Sequence, residues 1–217
     1  HPKILDKIVI KKRIEMTTII NNYLKKLTLD DALDIGTTSD INNESSNFLI
    51  KNLENIKVFK SISDQVIDSN FFQKSLTKSI TEDLTTEQIE NFSSDIIISN
   101  ATIEHVGKTV NQIKMISNII KLSKKIFVIT TPNRFHPIDF HTKIPLIHWL
   151  PKKIHRKILK LVGFKFYSLE ENLNLLDKRS IIKIMKILNI TNFKILEHKF
   201  LIFKSNLILI INKKNVE

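Results

Sequence analysis

Cysteine is absent from the sequence, and its 217 residues include only three glycines and five prolines. Without a thiol there is no disulfide, thiolate zinc site, iron–sulfur cluster or cysteine nucleophile. The three glycines stand far apart, at 36, 107 and 163, so no loop has the several needed to cradle a pyrophosphate at a helix N-terminus by close backbone approach. No run nears the roughly 18 apolar residues of a membrane span, and no signal peptide is visible. Internal repeats and low-complexity linkers are missing as well. The first residue is His1, so an upstream segment is expected to have been removed.

What is present is a hydrophobic fraction of 42%, enough for one domain with a core. Lysine and arginine number 34 against 22 acids, a net charge of +12. An excess of that size suits nucleic acid, an anionic membrane or an acidic substrate. It equally suits a lysine-rich composition, since Lys, Ile and Asn abound throughout.

Leu5, Ile8, Ile19 and Leu24 fall at helical spacing and predict one or two helices over 3–27. Short apolar strands are expected at 31–36, 56–62, near 75–80, at 95–99 and at 125–131. A short helix is expected at 48–54. Val110, Ile113, Ile116, Ile119 and Ile120 mark a helix at 108–123. Strands that are continuously apolar and alternate with helices predict an α/β fold, a doubly wound, mostly parallel sheet covered on both faces. A helix over 178–189 precedes FKILEHKFLIF (193–203) and NLILIIN (206–212). With Lys204-Ser205 as the only link, those two must pair as an antiparallel hairpin. The expectation is one domain, 1–217, with a lid or substrate insertion at 134–177.

In open α/β sheets, ligands sit beyond the carboxyl ends of the strands. There the sequence offers Gly36, Thr37, Thr38, Ser39 and Asp40 after the first strand. Asp64 follows the second, Asp83 and Leu84 the third, SNATIEHVG (99–107) the fourth and TPNRFHP (131–137) the fifth. An acid after a strand is often only a turn former. Three in register are a stronger signal, because a carboxylate there can accept ribose hydroxyls or an amino group.

LDIG (33–36), SNATIEHVG and KIFVITTPNR (125–134) resemble the motifs of class I S-adenosylmethionine-dependent methyltransferases, most closely the broad bacterial type 11 group, over about residues 30 to 135. That resemblance implies a Rossmann-like methyltransferase fold and S-adenosylmethionine as cofactor. It implies that Asp34, Gly36 and Thr37 meet the cofactor's amino-acid part. Asp64 would hold the ribose, with Asp68 as a substitute. Asp83 and Leu84 would meet the adenine, and Asn100 and Ala101 would line the cofactor. Glu104 and His105 would face the reaction centre, with His105 as the candidate base. The family usually has glycine where this chain has Thr38 and Asp40. A sulfonium cofactor carries no phosphate, so it tolerates that loss better than NAD would.

The stretch RFHPIDFHTKIPLIHWLP (134–151) resembles a variant of the same family. It would bring Arg134, His136 and His141 to the acceptor. The histidine spacings match no compact metal motif, so no metal is expected. In 151–164, Ile154, Ile158 and Leu161 share a helical face, and Lys152, Lys153, Arg156, Lys157 and Lys160 crowd the rest. This reads either as a lid helix with a solvated face or as a basic amphipathic helix, which with 144–150 could rest on an anionic membrane. The expected function is methylation of a small-molecule or lipid/sugar-linked acceptor, with nucleic acid disfavoured. A cytoplasmic location is expected, peripheral at the inner membrane face if 144–164 binds lipid. The alternative is a non-catalytic binding or scaffold protein that keeps the methyltransferase fold.

Overall fold

A computed structural model describes residues 2–41 and 43–215, with side chains for 10–41 and 43–214. Seven strands form one sheet in the order β3-β2-β1-β4-β5-β7-β6. They are β1 (Asp31–Ile35), β2 (Val58–Ser63), β3 (Lys74–Thr77), β4 (Ser94–Asn100), β5 (Ser123–Pro132), β6 (Lys194–Phe200) and β7 (Phe203–Asn212). The first five run parallel. β7 inserts antiparallel between β5 and β6. This is the doubly wound sheet with a terminal antiparallel hairpin that the sequence predicts.

Side chains alternate across the pleat. Leu33, Ile35, Ile97, Phe127 and Ile129 face α4 (Thr109–Leu122) and α6 (Lys178–Ile187). Ala32, Ile96, Ile98, Ile126 and Val128 face α1 (Pro2–Leu24) and α2 (Phe48–Lys51). Both faces are covered, so the strands need no polar alternation.

Several local expectations shift. In α1 the buried stripe is Met16, Ile20 and Leu24, while Ile19 points outward; Leu5 and Ile8 have side chains outside the described residues. Val110 is exposed at the start of α4, whose buried face includes Met115, Ile116 and Ile119. The hairpin turns at Leu201-Ile202 rather than Lys204-Ser205, with Phe200 paired to Phe203. Leu201 takes the left-handed conformation at φ 55°, and both turn residues are exposed, so an apolar pair forms a turn that polar residues usually mark. A helix absent from the sequence reading, α3 (Thr86–Phe92), starts with a capping box between Thr85 and Gln88. The Thr-x-x-Gln spacing was its available signal.

Strand order reverses between β1 and β4, so their loops diverge and open a cleft at the carboxyl edge. One contact sets how those loops sit. Ala101 takes φ 55°, which turns the chain after β4 and lays Thr102 on Gly36. A Cβ built on Gly36 would lie 2.2 Å from Thr102 Oγ1, and Gly36 itself has φ +85°. Thr102 Oγ1 donates to the Ile35 carbonyl at 3.2 Å. Gly36→Ala should therefore destabilise the fold by about 2–4 kcal/mol, from a clash plus a left-handed φ. In urea unfolding, adding Thr102→Gly should recover part of that loss; strictly additive losses would show that the two positions do not touch.

Candidate active site

The first loop keeps its shape without glycines at 38 and 40. Among the described residues, φ is positive at Gly36 but not at Thr38 or Asp40, so side chains cost nothing there. Asn47 takes both polar groups of the Thr38 backbone: its Oδ1 accepts from the Thr38 N–H and its Nδ2 donates to the Thr38 carbonyl, each at 2.9 Å. Gln65 Oε1 accepts from the Ser39 N–H at 3.0 Å. Ser63 Oγ donates to the Thr37 carbonyl at 2.6 Å. The Thr38 and Ser39 amides are thus occupied by the loop's own neighbours, which leaves fewer donors to bind a phosphate.

Asp34 lies beneath this loop, 5% exposed. Burial pushes its carboxyl up to about 7, opposed by a hydrogen bond from the Thr37 hydroxyl at 2.7 Å. The cleft itself has a volume of about 510 Å³, within the range of small-molecule sites. Its walls are Asp64 after β2, Ser79 and Thr81 after β3, His105 to Lys108 after β4, Asn111 on α4, and Glu171. Asp64 thus borders the cleft, whereas Asp68 and Asp83 are exposed and do not line it. Leu84 packs against the core. Ser79 and Thr81, hydroxyl to hydroxyl at 2.9 Å, are the residues after β3 that line the cleft. Sequence reading passed over them because Ser and Thr are common in turns.

The β4 loop is stapled from behind. Asn174 donates its backbone N–H to the Glu104 carbonyl at 2.7 Å and its Nδ2 to the Gly107 carbonyl at 2.8 Å. Gln112 Nε2 bridges the carbonyls of Ile103 and Asn174. Both side chains are buried, so their hydrogen bonds are shielded from water and fix the loop. Asn100 accepts from the Thr130 hydroxyl at 2.6 Å. Glu104 is fully buried, and its Oε2 accepts from the Thr131 hydroxyl at 2.8 Å.

Two histidines expected near the acceptor come together. His105 Nε2 and His141 Nε2 are 3.2 Å apart. His105 Nδ1 donates to the Asn172 carbonyl at 2.7 Å. His141 Nδ1 lies 3.1 Å from Asp139 Oδ1. Burial alone would raise the Asp139 carboxyl. Hydrogen bonds from the His141 side chain and backbone and from Thr142 outweigh it and hold the group well below the usual carboxylate range.

Arg134 and His136 serve the 134–177 segment itself. Arg134 donates to the carbonyls of His148 and Leu150 at 3.0 and 2.7 Å. His136 is buried, stacks on Phe140, and its carbonyl accepts from His148 Nε2 and Trp149 Nε1. His148 and His155 are also buried; burial lowers both, His155 to about 4.

Asp34 yields a pH test. Its folded-state pKa exceeds the unfolded value, so its contribution is fully present below about pH 4 and is lost as pH rises to about 7. Asp34→Asn keeps the acceptor for Thr37 and cannot ionise. Relative to the unmodified protein, it should gain stability between pH 4 and pH 8, by at most about 4 kcal/mol. Chemical denaturation at both pH values measures this, and a pH-independent difference would place an ionised carboxylate at Asp34.

No protein-family model and no curated protein matches the sequence. Solved structures do match the fold. The plantazolicin methyltransferase BpumL, in complex with S-adenosylhomocysteine, is 10% identical, with 97% of this chain and 89% of that one covered at a TM-score of 0.58. Magnesium protoporphyrin IX methyltransferase (ChlM) from Synechocystis PCC 6803, also with bound S-adenosylhomocysteine, is 13% identical over 96% and 86% at 0.53. N-methyltransferase NodS from Bradyrhizobium japonicum WM9, with the same ligand, is 11% identical over 92% and 86% at 0.53. The chain therefore has the fold shared by these S-adenosylmethionine-dependent methyltransferases.

Proposed function

We propose that the protein is an S-adenosylmethionine-dependent methyltransferase of a small-molecule or lipid-linked acceptor. The observation that carries this is the cleft at the ends of β2, β3 and β4, walled by Asp64, by Ser79 and Thr81, and by His105. The first loop fits a cationic cofactor. Its Thr38 and Ser39 amides are already bonded to Asn47 and Gln65, and a sulfonium asks for no phosphate cradle.

When bound, the cofactor supplies a methyl group activated by a positive sulfur. The chain's part is to align the acceptor and remove its proton. Asp64 would accept from the ribose hydroxyls, and the Ser79 and Thr81 hydroxyls would meet the base. Asp34, Gly36 and Thr37 support the amino-acid end, with Asn100 and Ala101 beside it. His105 and Glu104 face the acceptor, and the 134–177 segment acts as its lid, carrying His141.

Calorimetry with S-adenosylmethionine and S-adenosylhomocysteine tests the reading. Both should bind, and Asp64→Ala should weaken binding about 10- to 100-fold, the loss of charge-assisted hydrogen bonds. Binding by neither would favour a non-catalytic scaffold.

One observation favours a lipid-linked acceptor. In α5 (Lys152–Leu161), His155 and Leu159 pack inward. Ile154 and Leu161 of the expected apolar face point outward, the latter 85% exposed, and Lys153, Lys157 and Lys160 are exposed around them. Among the described residues no helix is long and apolar enough to cross a membrane. This face can instead lie on an anionic surface. Flotation with phosphatidylglycerol vesicles at low salt should carry the protein, and Leu161→Asp should release it. Failure to float removes the membrane reading and leaves a diffusible acceptor.

A further inference from the structure

Two imidazole nitrogens meet at the rim of the cleft in an arrangement that neutral rings cannot satisfy. His105 Nδ1 faces the Asn172 backbone carbonyl and His141 Nδ1 faces the Asp139 carboxylate. Both partners only accept, so both rings carry their proton on Nδ1. Each Nε2 then presents a bare lone pair to the other, 3.2 Å away. Two lone pairs at that distance repel unless a cation lies with them, and that cation is a proton or a metal.

Glu104 decides between them. Its carboxylate and the two histidines offer ligand atoms all within 4.8 Å of one another. Glu104 is fully buried, yet Oε1 has no hydrogen-bond partner, a costly state for a buried carboxylate oxygen. A proton shared by the two rings would leave Oε1 unpaired, whereas a metal ion could be held by the carboxylate and both rings together. The distance agrees: nitrogens bound at 2.0–2.1 Å to a tetrahedral zinc lie about 3.3 Å apart. The outer contacts agree too, because metal-bound histidine nearly always donates its other N–H to a carboxylate or a backbone carbonyl.

We propose that Glu104, His105 and His141 form a site for a divalent ion of the zinc class, through the carboxylate and both Nε2 atoms. Two imidazoles with one carboxylate suit zinc and disfavour magnesium and calcium, which prefer oxygen ligands. Three protein ligands leave the fourth position open. His105 is exposed and lines the cleft, so water or an acceptor oxygen can reach that position and be polarised there. The sequence reading expected no metal because it sought a compact histidine motif. The two histidines lie 36 residues apart, on different loops. Asp139 and the Asn172 carbonyl act as positioning groups. The site rests on this geometry and does not depend on the methyl donor.

Zinc titration calorimetry on the chelator-stripped full chain tests the site, with no thiol to compete. Saturable one-to-one binding is expected. His105→Asn and His141→Asn should each weaken it at least tenfold, and Asp139→Asn about 10- to 100-fold. Cobalt(II) should give the visible absorption of a four-coordinate centre, lost in the two histidine variants. His105→Asn alters an exposed residue, so its metal-free melting temperature should match the unmodified protein and separate binding from folding. Absence of one-to-one zinc binding overturns the site. So does binding that survives His105→Asn or that disappears with His1→Ala. Zinc binding without S-adenosylhomocysteine binding would keep the site and sink the methyltransferase reading; the reverse would do the opposite.

Discussion

Everything at the cleft depends on one steric contact, the side chain of Thr102 seated on the bare Cα of Gly36. It locks the loop after β1 to the loop after β4 at the point where strand order reverses. No larger residue fits at position 36, since even a Cβ would meet Thr102 Oγ1 at 2.2 Å. The cost is a left-handed Ala101, the kind of local strain that surrounding packing must hold in place. Asn174 and Gln112 supply that hold from behind. Glu104 and His105 follow directly, so their positions are set by backbone geometry before any side-chain choice is made.

The same contact explains how the first loop manages with one glycine. Close backbone approach is needed at Gly36, against Thr102. Beyond it, the chain leaves the left-handed region, and Asn47 and Gln65 satisfy the amides at Thr38 and Ser39. Glycine-rich loops leave such amides free for a ligand. Here they are spent on internal structure, which stiffens the loop and narrows the class of ligand it can meet. Phosphate loses its donors, and a cation loses nothing.

The sheet was legible because strand burial on both faces writes continuous apolar runs, as in DIIIS and KIFVIT, and because a two-residue link forces antiparallel pairing. The hairpin's turn was misplaced because Leu201 and Ile202 look like strand. Ile19 was misassigned because Ile19 and Ile20 are adjacent and only packing chooses between them. Asp64 could be placed from its position just beyond β2. The roles of Arg134 and His136 could not be read in the same way. Nothing local reveals that Arg134 bonds carbonyls 14 and 16 residues on, or that His136 is buried among its own segment's side chains. The meeting of His105 with His141 is tertiary in the same sense. Sequence put both near the acceptor, but tautomers and lone pairs exist only once the partners of each Nδ1 are known.

Of the four carboxyl groups buried among the described residues, Asp34, Glu104 and Asp139 lie toward or beyond the carboxyl ends of the strands, and each of these meets the cost of desolvation in its own way. A buried carboxylate can take a proton, collect donors or bind a cation. Asp34 has only Thr37, and its pKa rises to about 7. Asp139 collects the His141 backbone and ring and the Thr142 hydroxyl, and stays ionised. Glu104 has one donor for two oxygens, with Oε1 unpartnered, and ligand atoms of His105 and His141 lie within 4.8 Å of its carboxylate. The Nδ1 of each histidine is engaged elsewhere, His105 with the Asn172 carbonyl and His141 with Asp139. A cation bound with both histidines, as proposed above, would balance the group. The donors that Asp139 collects include the ring N–H of His141, so the hydrogen bond to one buried acid leaves the ring's other nitrogen for the cluster that holds the second.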